Sequence, residues 1–174
     1  MKILIAYSTK YGAAAQCADK IAAKIKGECD MVNLKTEAVP DITKYDKIII
    51  GGSVYASNIQ DEVKKFCNDN LEKLLQKPLG LFISSMGADQ SMLESNFRFS
   101  FPPELMEHAV IADSLGGVFN FPKMKTLERM VIKIICRSMK KKGLIDAVPS
   151  GKEVVSTISE ERIEIFADSM NKSK

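Results

Sequence analysis

The opening stretch of the chain, Lys2-Ile3-Leu4-Ile5-Ala6-Tyr7, limits its fold more than any other feature. It is a short, continuous apolar run, as expected of a strand covered on both faces. A small, hydroxyl-bearing turn follows. Beyond it Ala14, Cys17, Ala18, Ile21, Ala22 and Ile25 recur at helical spacing, which predicts a helix to about Lys26, ended by Gly27. A strand buried on both sides and followed at once by an amphipathic helix is the unit of a parallel sheet, because parallel neighbours need a crossover rather than a hairpin.

The unit repeats along the chain. Cys29 to Leu34 reads as an edge-like strand, Lys47 to Ile50 as a buried one, and Leu79 to Ser84 and Val110 to Ser114 as two more. Between them Ile59, Val63, Phe66, Cys67, Leu71, Leu74 and Leu75 make a second amphipathic helix, while Met92 to Glu107 has no clean period and is expected to be helical after Pro103. The fold class is therefore α/β, and 174 residues fit one domain over 1–174.

The tail departs from this rhythm. Met124, Leu127, Met130, Val131, Ile134, Ile135 and Met139 share one face of an amphipathic helix near 123–142. From Phe121 to Gly143 the cations Lys123, Lys125, Arg129, Lys133, Arg137, Lys140, Lys141 and Lys142 oppose Glu128 alone, a net charge of +7. Because the whole chain carries +3, the remainder is −4. A mildly acidic body thus carries one basic segment. Two readings follow: a surface helix with its apolar face on the core, or a helix that meets an anionic membrane surface or substrate. Lys142 to Lys152 reads as a surface loop. Thr157-Ile158-Ser159-Glu160 has the T-x-x-E form of a capping box that opens a last helix near 158–171.

Several classes of protein drop out. The 45% hydrophobic and 27% charged fractions exclude a collagen-like or wholly disordered chain. No apolar run approaches the roughly 18 residues of a membrane span, and the N-terminal run is too short for a signal peptide. The expected location is the cytoplasm, with the basic helix as a possible peripheral contact at the inner membrane surface. Cys17, Cys29, Cys67 and Cys136 match neither zinc-site nor CxxC spacing, so reduced and mostly buried thiols and no metal site are expected. The basic segment has Phe121 as its only nearby aromatic and matches no nucleic-acid module, so no nucleic-acid partner is expected.

In an open parallel sheet, ligands bind outside the carboxyl ends of the strands, at the switch point of strand order. Three loops leave such ends here. Ser8-Thr9-Lys10-Tyr11-Gly12-Ala13-Ala14 combines hydroxyls, small residues and a helix start whose free N–H groups suit a dianion. It lacks GxxxxGK[ST] and GxGxxG, which excludes nucleoside triphosphate and classical dinucleotide sites. Gly51-Gly52-Ser53-Val54-Tyr55-Ala56-Ser57-Asn58 places glycines where backbone amides could approach a flat ligand and Tyr55 where it could stack. Ser84-Ser85-Met86-Gly87-Ala88-Asp89 is again small and polar, with Met86 available to the opposite ring face. His108, the lone histidine, is read as structural.

The Ser8-Thr9-x-x-Gly12 loop after Ile3-Leu4-Ile5-Ala6-Tyr7, together with Ile50-Gly51-Gly52-Ser53-Val54-Tyr55 and the five-strand rhythm, resembles the flavodoxin family. Arg129-Met130-Val131-Ile132-Lys133-Ile134-Ile135, Gly151-Lys152-Glu153-Val154-Val155 and the Thr157 to Glu160 segment are similar to the tail of the flavodoxin-type, menaquinone-dependent protoporphyrinogen IX dehydrogenases. The resemblance implies a three-layer sandwich with a parallel sheet of order 2-1-3-4-5 and FMN as cofactor. It implies that the phosphate is held by Ser8, Thr9, Lys10, Tyr11, Gly12, Ala13 and Ala14. The isoalloxazine would lie between Ser53, Val54, Tyr55 and Ala56 on one side and Ser85, Met86 and Gly87 on the other. Ala14 stands where the family usually has Thr, a lost hydroxyl worth about 1.5 to 3 kcal/mol if it bonded the phosphate. The function implied is an FMN-dependent oxidoreductase that passes electrons from an organic substrate, a porphyrinogen among the candidates, to a quinone or similar acceptor. The alternative is an electron carrier between redox proteins. Dedicated carriers of the family tend to be acidic, and a pI near 8.6 leans towards the enzyme.

Overall fold

The computed structural model describes residues 1–55, 57–86, 90–141, 143 and 148–173. Along the chain run β1 (Lys2–Ser8), α1 (Ala13–Ala22), β2 (Glu28–Asn33), β3 (Lys47–Tyr55), β4 (Asn58–Ile59), α2 (Asp61–Asp69), α3 (Leu71–Leu74) and β5 (Leu79–Ser84). They are followed by α4 (Gln90–Ser100), α5 (Pro103–His108), β6 (Ile111–Ser114), β7 (Val118–Asn120), α6 (Thr126–Lys141), β8 (Val154–Ser156) and α7 (Glu160–Lys172). The main sheet has the order β2-β1-β3-β5-β6, all parallel. This is the expected 2-1-3-4-5 arrangement; the labels differ because the two-residue β4 folds back antiparallel on the end of β3.

Burial on both faces explains the uninterrupted apolar runs. Successive strand residues point to opposite faces, so Leu4, Ala6, Ile48, Ile50, Leu79, Leu81 and Ile83 pack under α2 to α5 with Val63, Phe66, Phe101 and Leu105. Ile3, Ile5, Ile49 and Phe82 pack on the other face against Ala14, Cys17, Ile21, Ile163, Phe166 and Met170 of α1 and α7. Each fully buried Ile or Leu contributes about 1.5 to 3 kcal/mol of transfer free energy. The result is a three-layer α/β/α sandwich. The register brings Ser8 opposite Gly52 and Ser53 opposite Ser84, so β1 and β5 finish nearly level on either side of β3, which runs on to Tyr55.

Where the boundaries differ from the sequence reading, a local cause is visible. The second amphipathic helix breaks into α2 and α3 at Asn70, whose side-chain amide donates to the Phe66 carbonyl at 2.9 Å in competition with the helix backbone. The stretch from Met92 to Glu107 is helical on both sides of Phe101-Pro102, and Pro103 opens α5 at a position where a missing N–H is tolerated. The last helix is capped by Ser159, which accepts from the Arg162 N–H at 3.3 Å, and not by Thr157. Thr157 is held instead by Gly117, through its N–H to the Gly117 carbonyl (2.8 Å) and its hydroxyl from the Gly117 N–H (3.1 Å).

The paired glycines also have a structural reason other than ligand approach. Both are buried inside β3. A Cβ on Gly51 would lie 2.3 Å from the Phe82 ring, and one on Gly52 would lie 2.8 Å from Ile59 and Gln60. They are small because core side chains occupy the space.

The largest departure concerns α6. Its inner side, with Cys136 buried and Ile132 half-buried, joins Met124, Phe119 and Phe121 in a small cluster that also touches Tyr11 and Met86. Of the two readings of its apolar stripe, the core-facing one does not hold: Leu127 is 73% exposed, Ile134 61%, Met130 59%, Val131 50% and Ile135 43%. Met124 alone of that set is described as buried.

Candidate functional site

The switch point of strand order lies between β1 and β3, since the chain moves from β1 outward to β2 and then returns to pair β3 on the other side. The first two sequence loops leave the sheet here. After Ser8 the chain turns so that the Thr9 hydroxyl accepts from the Gly12 N–H at 3.0 Å. Gly12 then adopts φ +93° at the N-cap of α1, a conformation that a residue with Cβ rarely takes. No side chain caps the helix, so its first-turn N–H groups lack the partner a Ser or Thr cap would supply. Ala13 and Ala14 are buried against the core, which leaves their backbone N–H groups as what they can offer an anion. With Ala14 wholly buried among core residues, a Thr hydroxyl there would lie against apolar neighbours.

The second loop is organised by a residue the sequence reading did not single out. Gln60 clasps Ser53 through both backbone groups: its amide oxygen accepts from the Ser53 N–H (3.0 Å) and its amide nitrogen donates to the Ser53 carbonyl (2.6 Å). With β4 pairing Val54 to Ile59, this clasp fixes a tight return that presents Tyr55. The Ser53 hydroxyl is buried and unpartnered, an orphaned donor at the switch point.

The two loops meet through their aromatic residues. Tyr11 and Tyr55 stand edge to face with centroids 6.1 Å apart, and the Lys10 ammonium lies 5.3 Å from one ring and 5.5 Å from the other. Burial pushes the Tyr55 hydroxyl well above its usual range, so the ring stays neutral at physiological pH. Glu128, from the first turn of α6, accepts from Lys10 Nζ (2.7 Å), from the Tyr11 hydroxyl and from the Lys125 N–H (3.1 Å). The hydrogen bond from Lys10, followed by that from Tyr11, pulls its carboxyl down to about 2. The signal for this contact was present in the sequence as the single anion of the basic segment.

The described part of the third loop faces a neighbouring segment. The Ser85 N–H donates to the Gly116 carbonyl (3.1 Å), and Met86 packs on Gly117 with its sulfur accepting from the Thr157 hydroxyl at 3.1 Å. Asn96 of α4, buried and absent from the sequence reading, reaches towards the Ser85 hydroxyl at 3.5 Å with its own side-chain oxygen unpartnered. Ala56 and Gly87 lie outside the described residues. The structure thus brings Ser8 to Ala14 together with Ser53 to Tyr55, and sets Met86 across the same small cluster from Tyr11.

The remaining candidates sit elsewhere. His108 bonds the Lys77 carbonyl (2.9 Å) beyond the opposite, amino end of β5. All four cysteines are free, and no group of metal-ligating side chains occurs among the described residues. A cleft of about 560 Å³ opens between α4, α5 and β6 beside the Asp113–Arg162 pair, and no described residue of the three loops lines it.

A family model described as Flavodoxin domain matches residues 4–144, most of the chain. The chain belongs to the flavodoxin domain family. Membership assigns it FMN as cofactor. Among curated proteins, this flavodoxin domain is 24% identical over 168 residues to protoporphyrinogen IX dehydrogenase [quinone] of Escherichia coli K12, covering 90% of this chain and 88% of the relative. Among solved structures it resembles rubredoxin:oxygen oxidoreductase of Desulfovibrio gigas, with 12% identity and a TM-score of 0.54 over 98% of this chain. It spans only 35% of that longer protein, so the likeness concerns the fold. A flavodoxin from the domain Archaea matches with 14% identity and a TM-score of 0.44, over 66% of this chain and 83% of that one.

The residues present suit the cofactor. An uncapped helix start above a left-handed Gly12, with no atom within 4 Å of where a Cβ would stand, is the kind of cradle a phosphate takes. The orphaned Ser53 hydroxyl and the aromatic face of Tyr55 lie beside it. Lys10 is the one cation of the loop, and its pairing with Glu128 leaves the backbone amides as the main anion-binding groups.

Proposed function

We propose that the protein is an FMN-dependent oxidoreductase that passes electrons from an organic substrate to a quinone or a similar acceptor, with a porphyrinogen as the first substrate to test. The observation that carries this reading is the end-to-end similarity to a quinone-linked dehydrogenase, which extends beyond the family domain into the C-terminal segment. The net charge of +7 on residues 121–143, beside a site that in dedicated carriers tends to be acidic, supports it further.

In this reading the N–H groups of Ala13 and Ala14, with the Ser8 and Thr9 hydroxyls, Lys10, Tyr11 and Gly12, hold the phosphate. Ser53, Val54, Tyr55 and Ala56 line one side of the ring system, and Ser85, Met86 and Gly87 the other. Bound FMN itself supplies the exchange of hydride or electrons. The protein then needs no nucleophile. Its tasks are to fix the ring against Tyr55, to exclude water with the Tyr11, Phe121 and Met86 cluster, and to leave an edge open to substrate. Ser53, held by Gln60, would offer its unpartnered hydroxyl to the bound cofactor.

A carrier that serves only redox proteins is the second reading, favoured by the family membership alone. Anaerobic incubation of the FMN-loaded protein with protoporphyrinogen IX and a soluble quinone distinguishes them. Porphyrin fluorescence that rises with enzyme and quinone concentration supports the oxidoreductase. A rate equal to the protein-free control, with electrons accepted from a redox protein, supports the carrier.

A further inference from the structure

Leu127, Met130, Val131, Ile134 and Ile135 recur at i, i+3, i+4, i+7 and i+8, the spacing of a continuous apolar stripe along a helix. In a surface helix that stripe normally covers the core. Here it faces outward along more than two turns, with each of its five residues at least 43% exposed, while the opposite side of α6 is already packed on Phe121, Met124 and Tyr11. Isolated apolar side chains on a surface need no explanation, but a contiguous stripe of this kind marks a surface that something covers.

The charges around the stripe say what covers it. Arg137, Lys140 and Lys141 lie on its exposed flank and at its C-terminal end, and none of them has an anionic partner among the described residues. Glu128, the only anion of α6, points inward to Lys10 and Tyr11. A second copy of this chain would bring two such cationic flanks together across the contact, which is repulsive. An anionic lipid surface offers both complements at once: headgroup charge for the cations and acyl chains for the stripe. No described helix is long and apolar enough to cross a membrane, so the contact would lie in the interface plane.

We propose that α6 is a membrane-docking helix whose outward stripe enters the headgroup and acyl boundary of a bilayer containing anionic lipid. The inference goes beyond the oxidoreductase reading and does not depend on it. It adds to that reading a location: Glu128 and the Tyr11 cluster tie the inner side of α6 to the phosphate loop, so a docked α6 places the flavin loops beside the membrane surface, where an apolar acceptor dissolves.

The test uses the full-length FMN-treated protein and sedimentation with vesicles of phosphatidylcholine, with or without about one third phosphatidylglycerol. Binding is expected to the anionic vesicles only and to weaken as salt shortens the Debye length from about 10 Å to about 3 Å. Leu127→Gln with Ile134→Asn alters only exposed residues and is expected to abolish binding with an unchanged melting temperature. Arg137→Gln with Lys140→Gln and Lys141→Gln is expected to weaken binding on the order of 100-fold, since each cation contributes about one kcal/mol at such a surface. The proposal is overturned if wild type ignores anionic vesicles at low salt, or if the stripe variant binds them equally. It is overturned also if lipid-free wild type sediments as a dimer that Ile134→Asn dissociates, because the stripe is then covered by a second copy. Flavin absorbance read in the same samples keeps the two readings apart: lost flavin with retained vesicle binding counts against the function alone, and the reverse counts against docking alone.

Discussion

Replacing Gly51 by Ala tests whether the paired glycines serve packing or ligand approach. An added Cβ would stand 2.3, 2.4 and 2.5 Å from three atoms of the Phe82 ring, so the ring must retreat by more than 1 Å to reach an ordinary contact of about 3.5 Å or more. Phe82 has little room to retreat. It is completely buried and sits edge to face with Phe166 of α7 at 6.3 Å, deep in the cluster that joins the sheet to α1 and α7. Overpacking of this kind costs about 1 to 3 kcal/mol, and a rigid aromatic ring against a central strand belongs at the upper end. For a chain of this length each kcal/mol lowers Tm by about 2 to 4 °C, so a fall of roughly 4 to 12 °C is expected in the flavin-free protein. Thermal and urea unfolding of the apoprotein measure it directly. A smaller partner should relieve the strain: Gly51→Ala added to Phe82→Leu should cost less than Gly51→Ala alone, a coupling that a double-mutant cycle isolates. If the Gly51→Ala apoprotein melts within a degree of wild type yet loses FMN, the packing argument is wrong and the glycine serves the ligand.

Three other expectations follow from the same geometry. Tyr55→Ala should weaken FMN binding roughly three- to tenfold and brighten the residual flavin fluorescence, because a stacked aromatic contributes about 0.5 to 1.5 kcal/mol beyond its buried area; unchanged quenching would remove Tyr55 from the site. Glu128 has a native pKa near 2 against 4.5 unfolded, so its contribution is present above pH 4.5 and lost as pH falls towards 2. Glu128→Gln should therefore lower stability near pH 6 by less than about 1 kcal/mol, a partly exposed pair being weak, and converge with wild type near pH 2; an equal difference at both pH values would show that the ion pair is not the cause. Burial pushes the Cys17 and Cys67 thiols up to about 12, whereas Cys29 is half-buried on the edge strand. A thiol reagent at pH 8 should label Cys29 first and reach Cys17 and Cys67 only on unfolding, with early labelling of Cys17 as the contrary result.

The sheet was legible because burial on both faces writes itself as unbroken apolar runs: Leu4, Ile49 and Leu81 could sit nowhere else. The first loop was legible for a similar reason, since Thr9 and Gly12 have local conformational roles that their residue types announce. What escaped the sequence depended on distant partners. Gly51 looked like a ligand-facing glycine because Phe82, which fills its space, lies far along the chain, and Gly52 because nothing in the sequence showed that the chain folds back to bring Ile59 over it. Thr157 fitted a capping box by spacing, yet Gly117 takes its hydrogen bonds and Ser159 caps instead. The three-residue strands β7 and β8 were too short to carry a period, and Gln60 and Asn96 gave no signal because single amides are common in polar stretches. For α6 the period was legible and its direction stayed open between two readings, because periodicity locates an apolar face without saying whether the core or something outside the chain covers it.

The account rests on the loops after β1 and β3 forming an FMN site, and equilibrium titration of the apoprotein with FMN tests this most directly. Followed by flavin fluorescence and visible circular dichroism, the titration should saturate at about one FMN per chain, with quenched emission and a flavin signal induced by the chiral site, and FAD should bind less tightly. An apoprotein that is folded by far-ultraviolet circular dichroism yet shows no saturable change at micromolar FMN would contradict it.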